Sequence, residues 1–598
     1  MAAAAAATAA AALEWRVPAS PRAPPLLAPN PRARCVGPQP IVIGLLPAPA
    51  NGGRPQGGWR RRGERWRCEG AARRRRGGAG RAGRGRAGHC LARHGRARLG
   101  RARQCCAWLG TARQGTARQP LAGMKAAVLL LLWPLALAGE RRERAPLPGR
   151  RPRAAAAGRF WHVTDLHWDP EYEAAAAAGQ GCPSGGSQAG PGAGPWGSYL
   201  CDAPWRLLNS SVFAMRGLLR RPDFVLWSGD DTPHVPNESL GEEKVLHIIE
   251  NLTSLIKQVF PDTKVYAAMG NHDFHPKNQF PGKGHRIYNQ TAEMWRPWLN
   301  EASIPLFRAG AFYSEKLPSP NTRGRMIVLN TNLYYDQNSE TAGEEDPGGQ
   351  FQWLEETLTN ASKAEEMVYI VGHIPPGFFE KKRGKPWFRS DFNKRYLKIV
   401  QKHHRVIAAQ FFGHHHTDSF RMFYSDTGSP INVMFLAPGV TPWKTTLPGV
   451  NNGANNPGIR VIDYDPDTLQ VQDVVTYYLN LTRANMMGPV WEEEYRLTEA
   501  FQIPDGSAHS MQTVLERISK DAKYLQQYYE FNSVKYDLDL CGEDCRVDHV
   551  CAIREIDFTR YDECVKANSS TTAITSVCLL LLCLLLGALQ SPASSLMS

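Results

Sequence analysis

Seven residues of metal-binding type stand directly after apolar runs. Phe160–Thr164 leads into Asp165-Leu166-His167, Asp223–Ser228 into Gly229-Asp230, and Lys264–Met269 into Gly270-Asn271-His272-Asp273. Met367–Val371 leads into Gly372-His373, and Val406–Phe412 into Gly413-His414-His415-His416. Any one of these segments reads as a turn, because Gly, Asn and Asp tolerate turn dihedrals. Five in series do not. Asp165, His167, Asp230, Asn271, His373, His414 and His416 offer oxygen and imidazole ligands suited to Zn²⁺, Fe or Mn²⁺. Seven ligands are too many for one tetrahedral ion, but with one carboxylate shared they give four to each of two. Two ions about 3.5–4 Å apart clamp a phosphoryl group and activate a water between them. The residues therefore point to a two-metal phosphoesterase.

Such ligands must be held by regular elements, and the surrounding pattern supplies strands. Residues 159–480 alternate β-type runs with helical or loop segments, the mark of an α/β fold. Every ligand group follows the C-terminal end of a run, where open α/β sheets place their ligands. From Ile503 the period changes. Met511, Val514, Leu515, Ile518, Ala522, Leu525 and Tyr529 recur at helical spacing, predicting one apolar face that packs as core.

The order D-x-H, G-D, G-N-H-D, G-H and G-H-x-H resembles that of the calcineurin-like metallophosphoesterases. The flanking residues Trp161-His162-Val163-Thr164-Asp165-Leu166-His167, Ser228-Gly229-Asp230-Asp231-Thr232-Pro233-His234 and Gly413-His414-His415-His416-Thr417-Asp418 resemble the acid sphingomyelinase branch. The resemblance covers residues 158–566. It implies an α/β/β/α sandwich as a catalytic domain over 158–490, then a small helical, disulfide-stapled subdomain over 491–566. It implies two Zn²⁺, one held by Asp165, His167, Asp230 and His416, the other by Asp230, Asn271, His373 and His414. His272 matches the family's general acid, and His234 a histidine that contacts the substrate phosphate. His415, between two ligands, is expected to point the other way and take no part.

The implied reaction is hydrolysis of phosphodiester or phosphoanhydride bonds by a metal-activated hydroxide, on nucleotide-type or choline-phosphate substrates. Sphingomyelin is less expected, because the short stretch before the first strand lies far below the roughly 50-residue floor for a separate lipid-handling domain. The branch includes a membrane-anchored member associated with dampening Toll-like receptor signalling, so lipid domains and Toll-like receptors are expected partners. The alternative is a membrane-anchored binding protein with little catalysis. An unbroken ligand set favours the enzyme.

Three further features predict export. Met124-Lys125, the apolar Ala126–Leu135 and Ala136-Leu137-Ala138 read together as a signal peptide over 124–138. Six cysteines follow it ahead of the tail, and short loops favour the pairs Cys182–Cys201, Cys541–Cys545 and Cys551–Cys564. Glycosylation sequons stand at Asn209, Asn237, Asn251, Asn289, Asn360, Asn480 and Asn568. Residues 567–598 place small residues, a short spacer and an apolar run in the layout of a GPI-attachment signal, with Asn568 or Ser569 as the attachment point. The expected location is the outer face of the plasma membrane.

The charge is confined to one segment. Residues 1–123 hold 24 arginines and three acids, whereas the rest of the chain holds 47 lysines and arginines against 53 acids. That first segment, rich in Ala, Arg, Gly and Pro, has no apolar period and is read as a leader absent from the mature protein. No nucleic-acid binding is expected. At 42% hydrophobic and 21% charged residues, a wholly disordered chain is excluded.

Overall fold

The structure, a computed structural model, describes residues 157–177, 179–188, 193–318 and 324–568. The leader, the signal peptide and the apolar tail with Ser569 lie outside the described residues. Among the described residues, no helix is long and apolar enough to cross a membrane.

Among the described residues, twelve strands build the core: β1 (Gly158–Val163), β2 (Phe224–Trp227), β3 (Lys264–Ala267), β4 (Tyr313–Lys316), β5 (Gly324–Val328) and β6 (Met367–Val371), then β7 (Ile407–Phe412), β8 (Ser419–Tyr424), β9 (Pro430–Leu436), β10 (Gly458–Tyr464), β11 (Val471–Leu479) and β12 (Trp491–Arg496). They form two six-stranded sheets, ordered β12-β11-β10-β1-β2-β3 and β4-β5-β6-β7-β9-β8. β1, β2 and β3 run parallel, as do β5, β6, β7 and β9. Parallel strands are covered on both faces, which is why β2 reads as the unbroken apolar run Phe-Val-Leu-Trp, every residue of it buried.

The sheets face each other through aromatic rings. Phe160 of β1 meets Tyr369 of β6 at 5.7 Å and Phe411 of β7 at 5.4 Å, edge-on. Helices cover the outside. Trp227 of β2 packs on Trp295 and Trp298, which follow the helix Arg286–Met294. On the second sheet, Gln350–Lys363 packs on β6 and Ala508–Lys520 on β8 and β9. The architecture is the α/β/β/α sandwich. Its parallel strands all end on one edge, and the loops leaving that edge carry the metal-type residues.

The C-terminal helices Ala508–Lys520, Ala522–Asn532 and Glu543–Arg554 are stapled by the disulfides Cys541–Cys545 and Cys551–Cys564, and Cys182–Cys201 closes a loop near the first strand. Two sequence expectations need correction here. The boundary at 490/491 falls too early, because 491–496 is β12, paired antiparallel with β11 at the edge of the first sheet. The apolar stripe also does not run through as one helix. Asp521 caps a new helix by accepting from the Lys523 N–H at 2.8 Å, which resets the phase. Ala522 is therefore exposed, and Tyr528 is buried where Tyr529 was expected.

Candidate active site

Chain crowding shapes the site before any side chain acts. The loops after β2 and β3 touch at Gly229 and Gly270. A Cβ on Gly229, whose φ is +90°, would strike the Gly270 nitrogen, and one on Gly270 would strike Asp230. Only glycine fits either position. Just beyond, the backbone turns left-handed at Asp165 (φ 51°), His167 (40°), Asp230 (64°), His414 (70°) and His416 (59°). Such conformations cost roughly 1–3 kcal/mol each and cluster where function requires them.

Hydrogen bonds between the loops hold this strained backbone. The N–H groups of Asp165 and His167 donate to the carbonyls of Gly229 (2.9 Å) and Asp230 (3.0 Å). The Asp273 carboxylate accepts from the backbone of Asp230 (2.9 Å), Asp231 (2.6 Å) and Gly270 (2.7 Å), tying the second and third loops together. Burial, then the nearby Asp230, pushes the Asp273 carboxyl up to about 6.

The seven metal-type residues converge. One group is Asp165, His167 and His416; His416 Nε2 lies 3.4 Å from Asp165 Oδ1 and 3.2 Å from His167 Nε2. A second is Asp230, His373 and His414, with the Asn271 side-chain oxygen 3.2 Å from His373 Nε2, and a third, His167, His234 and His272, also brings its ring nitrogens close together. Asp230 joins them: its Oδ2 is 3.1 Å from His373 Nε2 and 3.4 Å from His167 Nε2.

Tautomers follow from the hydrogen bonds. The Nδ1 atoms of His167 and His373 lie 2.7 Å from the carbonyls of Thr232 and Ser228, which can only accept. Both rings therefore carry the proton on Nδ1 and turn a bare Nε2 lone pair to the centre, the arrangement of a supported metal ligand. His414 Nε2 is buried with no hydrogen-bond partner. Lone pairs facing one another beside two carboxylates need positive charge between them, so the residues fit a pair of divalent cations. The field agrees. Burial opposes both charges, yet His373 holds the Asp230 carboxyl well below its usual value and Asp230 pushes His373 up to about 9, so without a cation a second proton on Nε2 would take its place.

His234 and His272 stand beside this centre, their rings 4.3 and 4.9 Å from that of His167. The His272 N–H donates to Asp230 Oδ1 at 2.8 Å, which fixes its backbone against the shared carboxylate. His234 stacks on Trp443 at 3.6 Å between centroids. Asp202, absent from the sequence expectations, aligns His234 by accepting from its N–H (2.6 Å) and lying 3.0 Å from its Nδ1. Asp202 directly follows Cys201, so the Cys182–Cys201 bridge anchors it. His415 turns away from the centre, but it is not idle. Its ring is wholly buried between Glu380 and Trp387, because both of its nitrogens have partners there.

The site opens into a cleft walled by Tyr335, Phe379, Trp387 and Trp443, with Lys277 at its edge. Nine metal-type and catalytic-type side chains thus meet at the sheet edge, beside an aromatic cleft.

Known proteins resemble this chain over most of its length. The description "Calcineurin-like phosphoesterase" matches residues 158–418, and "Acid sphingomyelin phosphodiesterase C-terminal region" matches 429–571. Human acid sphingomyelinase-like phosphodiesterase 3b is 63% identical over 429 residues, 72% of this chain and 94% of its own length. The chain belongs to the acid sphingomyelinase-like phosphodiesterases. It is also 40% identical to the human cyclic GMP-AMP phosphodiesterase over 71% of this chain and 93% of that one. With bovine sphingomyelin phosphodiesterase it shares 33% identity, over 66% of this chain and 63% of that one. As a member of this family it is a metal-dependent phosphoric diester hydrolase.

Proposed function

We propose that this hydrolase is a two-zinc enzyme cleaving small nucleotide-type or choline-phosphate substrates, with sphingomyelin a poor one. The observation that carries the reading is the place of Asp230 Oδ2, within 3.4 Å of an imidazole from each of two ligand groups. Asp165, His167, Asp230 and His416 would hold one ion, and Asp230, Asn271, His373 and His414 the other. Two such ions would supply charge to bind a phosphoryl oxygen and to lower the pKa of a water. The chain does the rest. The imidazoles, carboxylates and the Asn271 amide would hold the ions, His234 would contact a phosphate oxygen, and His272 would give a proton to the departing oxygen.

The cleft supports the substrate class. Flat aromatic walls suit a base or another planar group, and Lys277 adds an ammonium to the cleft's lining. A relative named for cyclic GMP-AMP hydrolysis matches over most of its length. Purified protein should carry two zinc equivalents by elemental analysis and lose all activity to a chelator. It should hydrolyse nucleotide di- and triphosphates, cyclic dinucleotides or CDP-choline faster than sphingomyelin. Two bound metals with no turnover of any of these would favour the binding-protein alternative.

We also propose that the protein is exported, glycosylated and held on the cell surface by a GPI anchor. Three disulfides suit an oxidising compartment, and Asn209, Asn289 and Asn360 are exposed. Asn237, Asn251 and Asn480 are half-buried, and Asn568 ends the described residues. A phosphatidylinositol-specific phospholipase should release the protein from cells. Retention after a control GPI protein has been freed would instead indicate a spanning helix.

A further inference from the structure

We propose that His415 is a positioning residue that fixes the Trp387 wall of the substrate cleft; this rests on the phosphodiesterase reading above. The indole Nε1 of Trp387 lies 2.7 Å from His415 Nε2. Indole N–H only donates, so His415 Nε2 accepts and its proton sits on Nδ1. That Nδ1–H faces Glu380 Oε2 at 3.0 Å. The ring is a link with a fixed direction, from a buried carboxylate to a wall of the cleft.

Glu380 is anchored in turn. Its Oε1 accepts from Thr417 Oγ1 (2.6 Å) and Asn532 Nδ2 (2.9 Å), and its Oε2 accepts from Arg421 Nη2 (2.5 Å). The carboxylate is wholly buried with its charge matched by Arg421, so it cannot swing without stranding several partners. At the other end, Trp387 meets the His414 ring edge-on at 4.5 Å and lines the cleft. His415 thus sets the plane of Trp387 through a ring whose two nitrogens are both taken up by Trp387 and Glu380.

The test uses zinc-loaded full-length protein and bis(p-nitrophenyl) phosphate. His415→Leu should keep two zincs and raise KM about fivefold or more, with kcat changed by less than about twofold, the pattern of lost uniform binding. His415→Gln, whose amide can donate to Glu380 and accept from the indole, should restore the wild-type KM. Trp387→Phe should raise KM similarly, and the double variant His415→Leu with Trp387→Phe should be no worse than either single change, because both remove one shared contact. If His415→Leu does not fold, His415→Asn replaces it, since its shorter amide reaches one partner only. An unchanged KM in the Leu or Asn variant, failure of Gln to restore it, or additive losses would overturn the proposal. So would loss of zinc, which would place the effect in the ligand loop. A wild-type enzyme inert on this diester would overturn the phosphodiesterase reading itself.

Discussion

Asp230→Asn should empty both metal positions, whereas His416→Ala should empty one. The reason lies in how the two carboxylate oxygens are used. Oδ1 accepts the His272 N–H at 2.8 Å, and Oδ2 lies between the lone pairs of His167 and His373. An amide has one oxygen. If it keeps the bond from His272, the NH₂ group points at the metals; if it flips, NH₂ meets N–H. Neither orientation restores a shared anionic ligand. Loss of even a supporting partner costs about 10–100-fold in metal affinity, so loss of the shared ligand should cost at least that at both positions. Elemental analysis after gel filtration reads the outcome, with thermal unfolding as the check on the near-isosteric fold. Full two-zinc occupancy in the variant would remove Asp230 from its shared place.

His272→Ala should keep both metals and lose activity according to the leaving group. The ring is buried beside His167 and His234, outside the seven-residue ligand set. Burial and His234 hold its imidazole well below the usual value, and an anionic substrate beside it would push it back up. An alkoxide leaves only when protonated, and a general acid contributes about 10²–10⁴-fold there, or roughly 3–5 kcal/mol. A p-nitrophenolate leaves unaided. The variant should therefore lose most activity on alkyl diesters and far less on a p-nitrophenyl ester. Equal losses with metals intact would make His272 a stabiliser of transition-state charge. Lost zinc would make it a ligand.

The candidate ligands were legible because their chemistry is local. Each follows its strand within a few residues, and Gly beside Asp or His marks a tight turn whatever the fold. Asp202, Asp273 and Glu380 were not legible for the opposite reason. Asp202 meets His234 across 32 residues and Glu380 meets Asn532 across 152, so no spacing rule connects them. The left-handed backbone at five candidate ligands was hidden too, since Asp and His do not announce positive φ as glycine does. β12 was missed because Trp-Glu-Glu-Glu-Tyr-Arg reads as polar surface, yet an edge strand tolerates charge. The one apolar face was split between two helices by the cap at Asp521, a local signal that the apolar stripe outweighed.

The sheet order has a consequence for how this chain can be divided. One family description ends at residue 418 and the other begins at 429, which invites treating the two as separable modules. The strands do not allow it. β10 hydrogen-bonds β1, and β9 hydrogen-bonds β7, so each sheet is completed by strands from beyond residue 429. A chain cut at 418 would keep every candidate metal ligand and still expose a raw strand edge in the middle of each sheet. Such edges recruit other chains. The candidate ligands are encoded in the first stretch and the closing of both sheets in the second, so neither stretch makes a finished fold without the other.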